Sequence, residues 1–158
     1  MSVIQPRPIL FLDDERSYLD MMTELLSEHL VCPIVPFSRP HDAIAALRQL
    51  DPGMIVTDFS MPAMNGIDFL YRAHAICPAL HAIMITGHQI ELGWRDLSHV
   101  PGLRAILFKP ISWRELASQI IQNWPDKNPP VSTADVAGIA CVGRPGLLAA
   151  SGRGPARW

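Results

Sequence analysis

Short apolar runs, each cut off by a polar residue, narrow what this chain can fold into. Ile9-Leu10-Phe11-Leu12 stops at Asp13, and Met54-Ile55-Val56 runs out into Thr57 and Asp58. Ile83-Met84-Ile85 stops at Thr86, and Ala105-Ile106-Leu107-Phe108 stops at Lys109. A strand that is apolar at consecutive positions is buried on both faces, as in a parallel sheet covered by helices. The segment Pro33–Phe37 is a weaker fifth run, second along the chain.

Between the runs the period changes to that of helices. Leu19, Met22, Leu25 and Leu26 form one stripe, and Ile44, Leu47 and Leu50 form another, opened by Pro40 in a first helical turn. Ile67, Leu70 and Ala73 make a third. Residues 88–99 are a weaker fourth, and Ser112 with Glu115 reads as a capping box before a fifth helix carrying Leu116, Ile120 and Ile121. Parallel neighbours need crossover elements, so the alternation predicts an α/β fold: a doubly wound, five-stranded parallel sheet with helices on both faces, spanning residues 8–124. Ligands of such sheets bind beyond the carboxyl ends of the strands. Asp13, Asp58, Thr86 and Lys109 are therefore expected to converge there.

From Pro125 the pattern dissolves. Residues 125–158 hold five Pro and five Gly without a sustained period, and this stretch reads as a largely disordered Pro/Gly/Ala-rich tail. The tail carries a charge of +2 and residues 1–124 carry −4, for a net −2, so no basic face for direct DNA binding is expected. No membrane span is expected either, and Met1–Pro8 lacks the apolar core of a signal peptide, which points to the cytoplasm. Cys32, Cys77 and Cys141 are too few and too irregular for a disulfide framework or a zinc site. The six histidines show no ligand spacing. Trp94, Trp113 and Trp124 read as core residues or as a docking patch on the last two helices.

Asp13, Asp14 and Asp58 would bring three like charges together, which repel unless a cation joins them. Magnesium suits such a site, since it takes one or two carboxylates together with waters and phosphate oxygens. A carboxylate there can attack phosphorus and form an acyl phosphate. Lys109 supplies an ammonium to neutralise the transferring group, and Thr86 a hydroxyl that can donate to it. Alone, an Asp pair opening a helix is an ordinary N-terminal cap. The matching strand ends make the difference.

The run Asp58-Phe59-Ser60-Met61-Pro62-Ala63-Met64-Asn65-Gly66, with Asp13-Asp14 upstream and Thr86-Gly87 and Lys109-Pro110 downstream, resembles the response-regulator receiver family of two-component signalling. The resemblance covers residues 8–124. It implies a flavodoxin-like strand order 2-1-3-4-5 with Asp58 as phosphoacceptor, and magnesium held by Asp14, Asp58 and the Ser60 backbone carbonyl, with Asp13 acting largely through water. It further implies that Lys109 pairs with the phosphoryl group, that Thr86 swings toward it, and that the Lys109-Pro110 peptide is cis. The partners it implies are a sensor histidine kinase or phosphotransfer protein and a downstream protein. Ile106 departs from the pattern, because the family often carries Tyr or Phe there as a rotamer relay.

The expectation is thus a stand-alone phosphoacceptor switch rather than an enzyme. A magnesium-dependent phosphatase of the haloacid dehalogenase kind also forms an aspartyl phosphate, but such enzymes usually place an acid/base Asp two residues after the nucleophile, where this chain has Ser60. A receiver-like module that no longer accepts phosphate would not need all of Asp13, Asp14, Asp58, Thr86 and Lys109.

Overall fold

The computed structural model describes residues 6–87, 97–127 and 129–131. The apolar runs form five strands: β1 (Ile9–Leu12), β2 (Ile34–Phe37), β3 (Met54–Asp58), β4 (His81–Thr86) and β5 (Leu103–Phe108). They lie parallel in the order β2-β1-β3-β4-β5. All residues of β1 and β3 are buried because helices cover both faces of the sheet. Ile9, Phe11, Val56, Ile83 and Ile85 point toward α1 (Arg16–His29) and α4 (Trp113–Gln122). Leu10, Leu12, Ile55 and Met84 point the other way, toward α2 (Pro40–Leu50) and α3 (Gly66–Ile76). Each large aliphatic side chain so buried contributes about 1.5–3 kcal/mol, so consecutive apolar residues stabilise both layers at once.

The helix starts follow local chemistry. Pro40 occupies the first turn of α2, the Asn65 side chain accepts from the Asp68 N–H at the start of α3, and Ser112 Oγ accepts from the Glu115 N–H at the start of α4. The helix expected over 88–99 lies outside the described residues except for Leu97–His99, which form a 3-10 turn. At the sheet's edge, β2 carries Pro36. The carbonyls of Pro33 and Phe37 accept from β1 and its continuation at Ile9 and Asp13, so by alternation Ile34 and Pro36 turn their nitrogens away from the sheet.

Trp124 joins the core, and Trp113 is half-buried with its ring stacked on His29, the centroids 4.0 Å apart. Trp94 is outside the described residues. Beyond α4, the Val31 N–H donates to the Pro130 carbonyl at 2.9 Å, and Val131 bridges Leu30 and packs on the α1–α4 core. The first residues of the Pro/Gly-rich stretch therefore rest against the end of α1, and residues 132–158 lie outside those described. Cys32 and Cys77 are free thiols, while Cys141 is outside the described residues. Among the described residues no helix is long and apolar enough to cross a membrane.

Candidate functional site

Parallel register carries the strand-end residues to one edge. Leu12 pairs with Phe37 and Thr57, Asp58 with Ile85, and Thr86 with Phe108, so Asp13, Asp58, Thr86 and Lys109 meet beyond the carboxyl ends. Backbone bonds lock the edge: the Phe59 N–H donates to the Ile85 carbonyl and the Lys109 N–H to the Thr86 carbonyl, each at 2.8 Å. Thr86 is fully buried, and the Lys109-Pro110 peptide is cis.

Asp13 is fully buried, with both carboxylate oxygens engaged. Oδ1 accepts from the Glu15 N–H at 2.9 Å and Oδ2 from Lys109 Nζ at 3.0 Å. Asp58, 6% exposed, places Oδ1 3.6 Å from the same ammonium. Asp14 is exposed. One oxygen from each of the three carboxylates lies within 4.8 Å of the others. Ser60 stands two residues past Asp58 on the exposed loop leading to α3.

Three carboxylates face one ammonium, and the imbalance shows in the titration of Asp58 and Lys109. Burial, and then the charge of Asp13, push the Asp58 carboxyl from 3.8 up to about 6 against the pull of Lys109. Burial alone would lower the Lys109 pKa, but the hydrogen bond and charge of Asp13, aided by Asp58, raise it above its ordinary value. An all-oxygen donor set with excess negative charge and one exposed member fits a hard divalent cation. A cleft of about 560 Å³ opens beside Asp14, lined by Arg16, Arg39 and His41 among others.

The loop after β3 shows why Asn65-Gly66 follows Asp58 at this distance. Asn65 caps α3, and a Cβ on Gly66 would stand 2.5 Å from the Asp58 carbonyl oxygen and 3.1 Å from Phe59 Cα. Only glycine lets α3 begin so close to Asp58. Tyr18 escaped the sequence reading, and Phe108 was read only as the end of an apolar run. The Tyr18 ring lies beneath Lys109, with Nζ 4.5 Å from its centroid, and Phe108, 43% exposed, pairs with Thr86 across β4 and β5. Tyr18 stands in the first turn after the aspartate pair, directly before Leu19, where the apolar stripe of α1 opens. Ile106 packs half-buried against the α2–α3 core, opposite Met84.

The family model described as "Response regulator receiver domain" matches residues 9–121. The chain belongs to that family. This receiver is 29% identical over 108 residues to the response regulator receiver protein CpdR of Brucella abortus (strain 2308), a match covering 68% of this chain and 86% of that protein. It is 26% identical over 115 residues to the uncharacterized transcriptional regulatory protein YesN of Bacillus subtilis (strain 168), covering 71% of this chain and 31% of that one. The receiver spans between 28% and 44% of the length of three of its curated relatives. In fold it matches the crystal structure of a CheY-like response regulator receiver domain protein from Methanospirillum hungatei JF-1, with a TM-score of 0.65 at 24% identity, over 75% of this chain and 93% of that one. Receivers are phosphoacceptor switches that bind magnesium through acidic residues and interact with histidine kinases or phosphotransfer proteins.

Proposed function

We propose that this receiver takes a phosphoryl group onto Asp58 from a partner histidine kinase or phosphotransfer protein, and that it acts as a stand-alone switch in the cytoplasm. Its output is a phosphorylation-dependent change in affinity for a downstream protein. One observation carries the reading: the Asp58 carboxylate ends β3 with the Asp13 and Asp14 oxygens within 4.8 Å and the Lys109 ammonium 3.6 Å away.

Asp14 and Asp58 would hold the magnesium ion directly with the Ser60 carbonyl, and Asp13 through water. The bound ion supplies neutralisation of phosphoryl-oxygen charge. Even with its pKa raised to about 6, Asp58 is a carboxylate at neutral pH and can attack phosphorus. One Asp58 oxygen forms the new bond to phosphorus while the donor's bond to phosphorus breaks, its electron pair leaving with the donor. Lys109, held by Asp13 at 3.0 Å, is poised to pair with the incoming oxygens. Thr86 can turn its hydroxyl toward them. With Ile106 where the family often has Tyr or Phe, the signal passes through the loop Thr86-Gly87-His88, whose last residue lies outside those described.

Exposure to acetyl phosphate with magnesium, followed by mass spectrometry, tests the reading. One added phosphoryl group is expected in the wild type and none in Asp58→Asn or without magnesium. Undiminished labelling of Asp58→Asn would move the site elsewhere.

A further inference from the structure

We propose that Tyr18 is a positioning residue for phosphoryl transfer, its ring holding the Lys109 ammonium in place between Asp13 and Asp58. The inference rests on Asp58 being the phosphoacceptor. Lysine carries its charge on a flexible four-carbon stem, so its ammonium is useful only where other groups fix it. Lys109 has two such constraints besides the Asp58 oxygen 3.6 Å away, which is itself the reacting group. Asp13 binds Nζ at 3.0 Å, and the face of Tyr18 lies 4.5 Å from Nζ, within the range at which an aromatic ring attracts a cation. Asp13 alone would leave the ammonium, whose side chain is 23% exposed, free to pivot toward water.

The helix that carries the ring begins beside the same carboxylate that takes the ammonium. Asp13 Oδ1 accepts from the Glu15 N–H immediately before α1, and Tyr18 follows in the first turn, packed on the α1–α4 core. The buried aspartate that takes the ammonium thus also fixes the backbone where the helix carrying the ring begins. The Tyr18 hydroxyl takes no part. Its oxygen is buried and has no hydrogen-bond partner among the described residues. Burial, followed by the charges of Asp13, Asp58 and Glu15, pushes its pKa up to about 12, so it stays neutral. The ring contributes to the site, and the hydroxyl is a buried polar group left without compensation.

That split separates positioning from plain packing. In the full chain, Tyr18→Phe keeps the ring and Tyr18→Leu removes it. Three readouts apply: the initial rate of phosphorylation by acetyl phosphate with magnesium, the NMR shift of the Lys109 ε-methylene protons without metal, and the unfolding midpoint. Tyr18→Phe is expected to keep the wild-type rate and the upfield ring-current shift, with equal or higher stability. Tyr18→Leu is expected to lose the upfield shift and to react about fivefold more slowly while still folded. Should the leucine variant not fold, Tyr18→Met supplies volume without a ring. A ringless variant that reacts at the wild-type rate overturns the proposal, and so does a Tyr18→Phe variant as slow as the ringless one. A wild type that takes up no phosphoryl group sinks the reading of Asp58 itself, whereas a labelled wild type with an unshifted Lys109 sinks only the role of Tyr18.

Discussion

Replacing Asp58 by Asn should make the metal-free protein more stable at neutral pH, although it removes the central group of the site. Burial and the Asp13 charge raise the Asp58 carboxyl from 3.8 to about 6 in the folded protein. Between those values the folded chain keeps a proton that the unfolded chain has released. Stability therefore falls as pH climbs through that window, and the loss is complete above it. At about 1.36 kcal/mol per pH unit, the loss comes to about 3 kcal/mol. The attraction of Lys109 is already contained in this net shift, and Asn carries no charge to be penalised. Urea unfolding with a chelator present should show Asp58→Asn more stable than wild type by about 2–3 kcal/mol near pH 7.5, the gap closing as pH falls to about 4. Added magnesium should stabilise the wild type and narrow the gap. A variant no more stable than wild type near neutrality, or a gap unchanged in acid, would refute the reasoning.

Three further substitutions probe the site's construction. Gly66→Ala would press a Cβ into the Asp58 carbonyl at 2.5 Å, and should cost about 2 kcal/mol or more by urea unfolding and slow phosphorylation by acetyl phosphate. Wild-type stability and rate would show that the loop yields. Asp14 is exposed, whereas both oxygens of Asp13 are already engaged by Glu15 and Lys109; calorimetry should show magnesium affinity falling about tenfold or more in Asp14→Asn and less in Asp13→Asn. Equal losses would overturn that ranking.

The sheet was legible because the apolar runs are too short for buried helices, and the polar residue ending each run marks the edge where the strands stop. Asp13, Asp58, Thr86 and Lys109 were found for that reason. Strands β3 and β4 nevertheless run past their apolar cores, to Asp58 and from His81 to Thr86, since backbone pairing continues wherever a neighbouring strand does. Tyr18 could not be singled out, because its meeting with Lys109 depends on how α1 lies across the far strand, a relation between distant residues that periodicity does not carry. The docking of Val131 was equally hidden. A contact of three residues leaves no period to read, and Pro129 and Pro130 made the segment look like plain linker.

Pro36 bears on how copies of this protein can meet. An open strand edge can act as a template on which another chain lays its own strand, the first step toward fibrils and exchanged dimers. Of the two β2 positions whose nitrogens face outward, Ile34 has a hydrogen to give and Pro36 has none. An incoming strand would find a ladder missing a rung near its middle. That flank is thus guarded against self-templated growth, whereas β5 at the opposite edge of the sheet carries no proline.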